Sequence, residues 1–276
     1  MEQSPRSVHR SWFRKRAGHL FYTLKRRAYW RSPHMLFASC IEDPLTFEIA
    51  SHQTPLRRCL KDVDAHMQEN KIINLRLAIA HLNGLVIDRG ETFSYWRQIG
   101  NPTRGKGYVE GMILREGLVH SGVGGGLCQL SNLIYWMTLH TPLCVVERWH
   151  HGYDVFPDVD RRQPFGSGAT CSYPNIDLQI KNDTDQRFQL SLHLTDTHLV
   201  GAWRSDRLVP YEFQIVEKNH RFTSTWCGGY VRCNTLFRRW TERSSGHVVQ
   251  EELVAKNQAR MMYNPLLQCQ DGQNRV

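Results

Sequence analysis

Apolar residues recur at helical spacing in three stretches of this chain and alternate at strand spacing in two others. Phe13, Ala17, Leu20, Phe21, Leu24 and Ala28 form the first helical series, with Lys and Arg beside them. Val63, Met67, Leu75, Ala78, Ile79 and Leu82 form the second. They predict a helix over residues 62–82 that ends at Asn83-Gly84. The third runs from about Leu127 to Leu139 and stops at Thr141-Pro142, because a residue before proline is pushed out of the helical region. Leu85-Val86-Ile87 reads as a short buried strand. A hairpin is expected around Met112-Ile113-Leu114 and Leu118-Val119. Cys144 to His151 reads as one strand. Phe188, Leu190, Leu192 and Leu194 alternate strictly, as do Tyr211, Phe213 and Ile215. The expected class is α+β: a cysteine-bearing helix against a mixed or antiparallel sheet, followed by a β-rich C-terminal part.

Four segments follow from this pattern: a basic arm over 1–40, a core over 41–185, a β-rich part over 186–267 packed on the core, and a polar tail over 268–276. Charge sharpens the first boundary. The net charge is +9. Residues 1–32 hold nine Lys and Arg against one acid, so the remainder is nearly neutral. The arm's basic amphipathic helix suits an anionic membrane surface. Its plainer role is a solvated helix packed on its own body. No nucleic-acid partner is expected.

Eight cysteines occur at irregular spacing, with no apolar signal segment at the N-terminus and no membrane-length apolar run. These features lead to the expectation of a cytoplasmic protein with mostly reduced thiols, peripheral at the inner membrane face if the arm binds there. Cys227 and Cys233 have five residues between them and no C-x-x-C occurs, so no metal is expected, and no cofactor. Neither the P-loop nor the dinucleotide-binding glycine pattern is present in its required context.

The chemistry-bearing stretch runs from Gly122 to Tyr153. Gly124, Gly125 and Gly126 precede the third helix. Consecutive glycines are entropically costly, and they fit where backbone must turn with positive φ or be closely approached. A thiol at a helix start, such as Cys128, has its thiolate stabilised by the free amides and the dipole. Nearby N–H groups from Gly126 to Gln129 could bind an oxyanion. Cys128, Ser131, Asn132 and Tyr135 share a polar stripe, opposite Leu127, Leu130, Leu133, Ile134 and Met137. The competing assignment is a structural core cysteine. On a 144–151 strand, Glu147, Trp149 and His151 point one way and Arg148 and His150 the other, so at most one histidine serves Cys128. Asp154, Asp158, Asp160 and Asp177 are candidates to orient it.

The blocks Asn74-Leu75-Arg76-Leu77-Ala78, Gly90-Glu91-Thr92-Phe93-Ser94, Gly107-Tyr108 and Gly124-Gly125-Gly126-Leu127-Cys128-Gln129-Leu130-Ser131 resemble the VanW family. So do Tyr135, Glu147-Arg148, His151 and Tyr153. The resemblance covers roughly residues 71–185 and makes the core a single VanW-like domain. It implies a role in glycopeptide resistance and, from some family members, L,D-transpeptidase-like acyl transfer on peptidoglycan stem peptides or precursors. Carried over, Cys128 would be the nucleophile and His151 its base. Gly124, Gly125, Gly126, Leu127, Gln129, Ser131, Tyr135, Glu147, Arg148 and Tyr153 would line the oxyanion and substrate site. Many relatives carry Gly-x-Asp-Ala-Thr where this chain has Gly166-Ser167-Gly168-Ala169-Thr170, so Gly168 stands in place of an acid. The alternative is a non-catalytic binding or accessory protein of glycopeptide resistance.

Overall fold

A computed structural model describes residues 12–57, 65–115, 117–155, 163–226 and 228–264. The class is α+β. The elements in order are α1 (Trp12–Trp30), β1 (Phe47–Pro55), α2 (Ala65–Ile79), β2 (Val86–Ile87), β3 (Thr92–Ser94), α3 (Tyr95–Ile99) and a 3-10 turn (Arg104–Lys106). There follow β4 (Glu110–Arg115), β5 (Leu118–Val123), α4 (Cys128–Thr138), β6 (Cys144–Glu147), β7 (Tyr153–Asp154) and β8 (Gln179–Lys181). The chain then turns to strands: β9 (Phe188–Leu194), β10 (His198–Ser205), β11 (Tyr211–Ser224), β12 (Tyr230–Glu242) and β13 (Val248–Met261).

The second helix is described from Ala65, inside the expected range, and Gly84 follows it with φ +83°. The hairpin forms as β4 against β5, with Met112 opposite Ser121 and Leu114 opposite Val119.

One four-stranded sheet has the order β1-β10-β9-β2, and α4 lies against its β1 and β10. This close contact explains a glycine within a strand. A Cβ on Gly201 in β10 would stand 2.8 Å from Met137 Cε and 2.9 Å from Leu133 Cδ2. Two residues along β10, Trp203 is fully buried and donates its indole N–H to Thr138 Oγ1 at 3.0 Å. Leu130, Leu133, Ile134 and Met137 put the apolar face of α4 into the same core as Leu190, Leu192 and Leu199 of the sheet. Burying each such side chain contributes roughly 1.5–3 kcal/mol.

A three-stranded sheet, β3-β8-β6, adjoins this core. The long C-terminal strands form a second four-stranded sheet, β11-β12-β13-β7, whose last pairing is parallel, Arg260 opposite Tyr153. Buried Arg238 on β12 donates to the carbonyls of Thr141 and Leu143, and so joins that sheet to the turn after α4.

The strand expected over 144–151 is shorter. It ends at Glu147, with a register shift between Val145 and Glu147. Beyond it the chain leaves the sheet because its polar groups find other partners. Arg148 turns its guanidinium to the carbonyls of Gly166 and Gly168, and the Trp149 carbonyl accepts from Thr170 N at 2.8 Å. The strict alternation expected for residues 147–151 therefore does not hold.

Candidate active site

Gly124 and Gly126 adopt φ of +77° and +91°, which favours glycine at both. Gly125 serves close approach. A Cβ there would lie 2.1 Å from the carbonyl carbon of Gly111 on β4. Asn74 on α2, fully buried, clamps the turn. Its Nδ2 donates to Gly125 O at 2.9 Å and Val109 O at 3.0 Å, and its Oδ1 accepts from Val109 N at 2.9 Å. A Cβ on Gly126 would meet Lys71 Cγ at 2.2 Å. The glycine block thus packs against α2 and β4, and its apposition to backbone accounts for Gly125 without a ligand.

Cys128 is the first residue of α4, as expected. The Gly126 amide is used by Met112 O and the Gln129 amide by Gly126 O. Of the amides expected to bind an oxyanion, those of Leu127 and Cys128 have no backbone acceptor among the described residues. The Leu127 carbonyl accepts from the buried Tyr95 hydroxyl at 3.0 Å, which fixes the turn from below.

The polar stripe of α4 binds a segment of the same chain, residues 168–171. Ser131 Oγ donates to Ala169 O at 2.7 Å, Asn132 Oδ1 accepts from Ala169 N at 2.8 Å, and Cys128 Sγ donates to Cys171 O at 3.7 Å. Thr170 N bonds the other way, to Trp149 O. Gly168 O accepts from Arg148, so this segment is bonded both to α4 and to residues 148–149. Among the described residues, neither histidine is hydrogen-bonded to the thiol. The His150 ring packs edge-on against Phe165, with centroids 5.6 Å apart. His151 is half-buried and its burial lowers the imidazole pKa, keeping the ring neutral near pH 7.

Packing around the partly exposed Cys128 also raises its thiol above the ordinary value, through desolvation of the sulfur. That direction is opposite to the one expected for a helix-start cysteine. Its cause is desolvation by the surrounding side chains and backbone. Cys171, buried alongside, is raised further, first by desolvation and then by the neighbouring Cys128.

The other expected lining residues divide. Leu127 and Ser131 stay beside Cys128. Tyr135 lies two turns along α4, buried, with the Arg148 guanidinium over its ring at 4.9 Å. Arg148 also reaches Asn257 Oδ1 on β13 at 3.0 Å. Gln129 points away, donating to Thr54 Oγ1 at 2.8 Å and Pro55 O at 3.0 Å. Glu147 faces α1, where Arg26 pairs with both of its oxygens at 2.7 Å. Tyr153 pairs with β13.

None of the described acids orients His151. Asp177 is buried and accepts from Ser94 Oγ, Trp96 N, Leu178 N and Gln179 Nε2, and burial raises it to about 6. Asp154 pairs with Arg232 at 3.3 Å and accepts from the Tyr263 hydroxyl. Asp158 and Asp160 lie outside the described residues. At Gly168 a Cβ would stand 2.6 Å from Asn132 Oδ1, so an acid at this position requires Asn132 to move. The alternating pattern gave no sign of Cys171, Arg26 or Asn257 as partners of this region; all three act across long sequence separations.

A separate cleft of about 600 Å³ opens between α2 and β4, lined by residues including His66, Asn70, Arg104 and Tyr108, and does not include Cys128. Among the described residues no group of three or more His, Cys, Asp or Glu is placed to hold a metal ion. No helix there is long and apolar enough to cross a membrane.

Residues 70–204 match the protein family described as VanW like protein. The vancomycin B-type resistance protein VanW of Enterococcus faecalis is 33% identical over 210 residues, 76% of this chain and 76% of that protein. The uncharacterised protein YoaR of Bacillus subtilis is 34% identical over 113 residues, 41% of this chain and 36% of that protein. No solved structure matches the chain.

Proposed function

The chain belongs to the VanW family, and from that premise we propose that it is a vancomycin resistance-associated protein whose Cys128 region acts on peptidoglycan stem peptides or their precursors. The observation that carries this is the turn into α4. It presents a thiol together with the Leu127 and Cys128 amides, which have no backbone acceptor among the described residues. Two such amides beside a nucleophile suit the developing oxyanion of acyl transfer. In the L,D-transpeptidase-like step, Cys128 Sγ bonds the carbonyl carbon of a donor peptide, and the thiol proton goes to neutral His151. The C–N bond then breaks, and the leaving amine takes that proton. An acceptor amine attacks the thioester, restores the amide and releases the thiol. The step requires Cys128 Sγ to leave the Cys171 carbonyl and meet the imidazole when the substrate binds; catalytic hydrogen bonds often tighten only then.

The bond to the Cys171 carbonyl and the raised thiol favour a second role, in which the same fold holds a precursor peptide or another resistance protein without turnover. Cys128→Ser separates the two. Cells carrying wild type or variant at equal protein level are compared for vancomycin resistance and precursor composition. Lost resistance at normal abundance is expected of acyl transfer, since serine is a far weaker nucleophile without a matched base. Unchanged resistance overturns it. Mass spectrometry of the protein incubated with purified precursor peptides looks directly for an acyl adduct on Cys128.

A further inference from the structure

We propose that α1 is a membrane-surface helix, clasped to the body on one side and presenting an apolar stripe with basic edges to an anionic lipid bilayer. Phe13, Leu20, Phe21 and Leu24 are 77%, 60%, 62% and 56% exposed. At ~100° per residue, Phe13, Ala17, Leu20 and Leu24 fall on one narrow stripe, with Phe21 at its edge. Arg16 and Arg27 flank one side of that stripe, and Arg14 and Lys25 the other.

The body holds the C-terminal part of the opposite face, while Tyr22 nearer the N-terminus is exposed. Arg26 reaches Glu147 with both terminal nitrogens at 2.7 Å and also donates to Asn175 O at 2.6 Å. The Tyr29 hydroxyl donates to Gln179 Oε1 at 3.0 Å. Arg26 projects nearly opposite the Phe13–Leu24 stripe on the helical wheel, so the clasp fixes the helix with its apolar side turned away from the protein.

Charge selects the occupant. Residues 3–41 contain no Asp or Glu, so the helix carries no acid of its own among its basic residues. Basic residues at both margins of an apolar stripe suit anionic headgroups beside acyl chains. A second copy docking through this face would bring the two sets of cations together. The helix is not apolar enough to cross a bilayer, so it lies on one.

The test is co-sedimentation of the full-length protein with phosphatidylcholine vesicles, with and without phosphatidylglycerol. Binding to the phosphatidylglycerol vesicles, weakened by added salt, is expected. The double variant Leu20→Ser/Leu24→Ser should lower the binding constant at least about tenfold with the circular dichroism spectrum of the folded protein intact. Arg16→Gln/Arg27→Gln should weaken binding to anionic vesicles and reduce its salt dependence. No binding at low salt overturns the proposal, as does equal binding by the Leu20→Ser/Leu24→Ser variant. Concentration-dependent dimerisation that this variant abolishes, without vesicle binding by wild type, assigns the face to a second copy instead and also overturns it.

Discussion

Arg148 places its guanidinium over the ring of buried Tyr135, 4.9 Å from the centroid, and spends its N–H groups on Gly166, Gly168 and Asn257. The Tyr135 hydroxyl has no hydrogen-bond partner among the described residues. The two side chains therefore differ sharply in what they contribute. Tyr135→Phe keeps the ring and removes only an unsatisfied group, so it should change stability by less than about 0.5 kcal/mol or raise it. Arg148→Ala strips three acceptors of their donor and should cost on the order of 3 kcal/mol. Urea denaturation of both variants checks this. A Tyr135→Phe protein that is stable but fails to confer resistance would assign the hydroxyl to the substrate.

The glycines of the turn before α4 are not equivalent to other glycines with unusual backbone. Gly90 has φ +81° with open space around its Cα, so Gly90→Ala should cost only the left-handed penalty, ~1–2 kcal/mol. Gly125→Ala must drive a methyl into the Gly111 backbone, which cannot swing aside as a side chain can. A loss on the order of 3 kcal/mol or more is expected, with β4 shifted from α2. If thermal denaturation ranks Gly125→Ala as the milder change, the close apposition of the two glycines is wrong.

The extent of α4 was legible because three local signals agree: glycines ahead of it, an apolar face at helical spacing, and Thr141-Pro142 behind it. The hairpin and the alternating strand at Phe188–Leu194 were legible for similar local reasons. The end of β6 was not. Arg148 and Trp149 suit a strand locally, but their bonding partners lie about 20 residues on, at Gly166, Gly168 and Thr170, and no periodicity reports that. Glu147 entered the expected lining through the family resemblance, and its partner in the fold is remote in sequence: Arg26 is 121 positions away. The thiol's direction of shift was missed for a related reason. Helix position is visible in sequence, whereas desolvation comes from the folded surroundings.

Asp177 should leave a signature in the pH dependence of stability. Its folded pKa of about 6 lies above the unfolded value of ~3.9. Between those values the folded chain binds a proton that the unfolded chain does not, so this group's contribution is fully present below about pH 4 and is lost as pH rises through about 6. The loss is on the order of 3 kcal/mol. Other groups, such as Glu147 with its lowered pKa, act in the opposite sense, so the readout is the difference between wild type and Asp177→Asn. Relative to the variant, wild type should be favoured most at pH 4 and progressively less up to pH 6. A difference that is flat with pH would place the carboxyl in a polar, solvated site.

The resting state of Cys128 is open to direct measurement. A thiol held protonated by desolvation and bonded to the Cys171 carbonyl should alkylate slowly in the native protein near neutral pH. Peptide mapping after iodoacetamide treatment should show Cys128 lagging behind the exposed Cys144, and its rate should keep rising with pH beyond the ordinary thiol range. Because His151 is not bonded to the thiol, His151→Ala should leave that rate unchanged without substrate. Acyl transfer then predicts a change on adding a purified precursor peptide: an adduct on Cys128 that forms in wild type and is lost or slowed in His151→Ala, while His150→Ala forms it normally. If Cys128 instead outpaces every other cysteine without substrate, and His151→Ala slows it, the thiol and imidazole are already paired at rest.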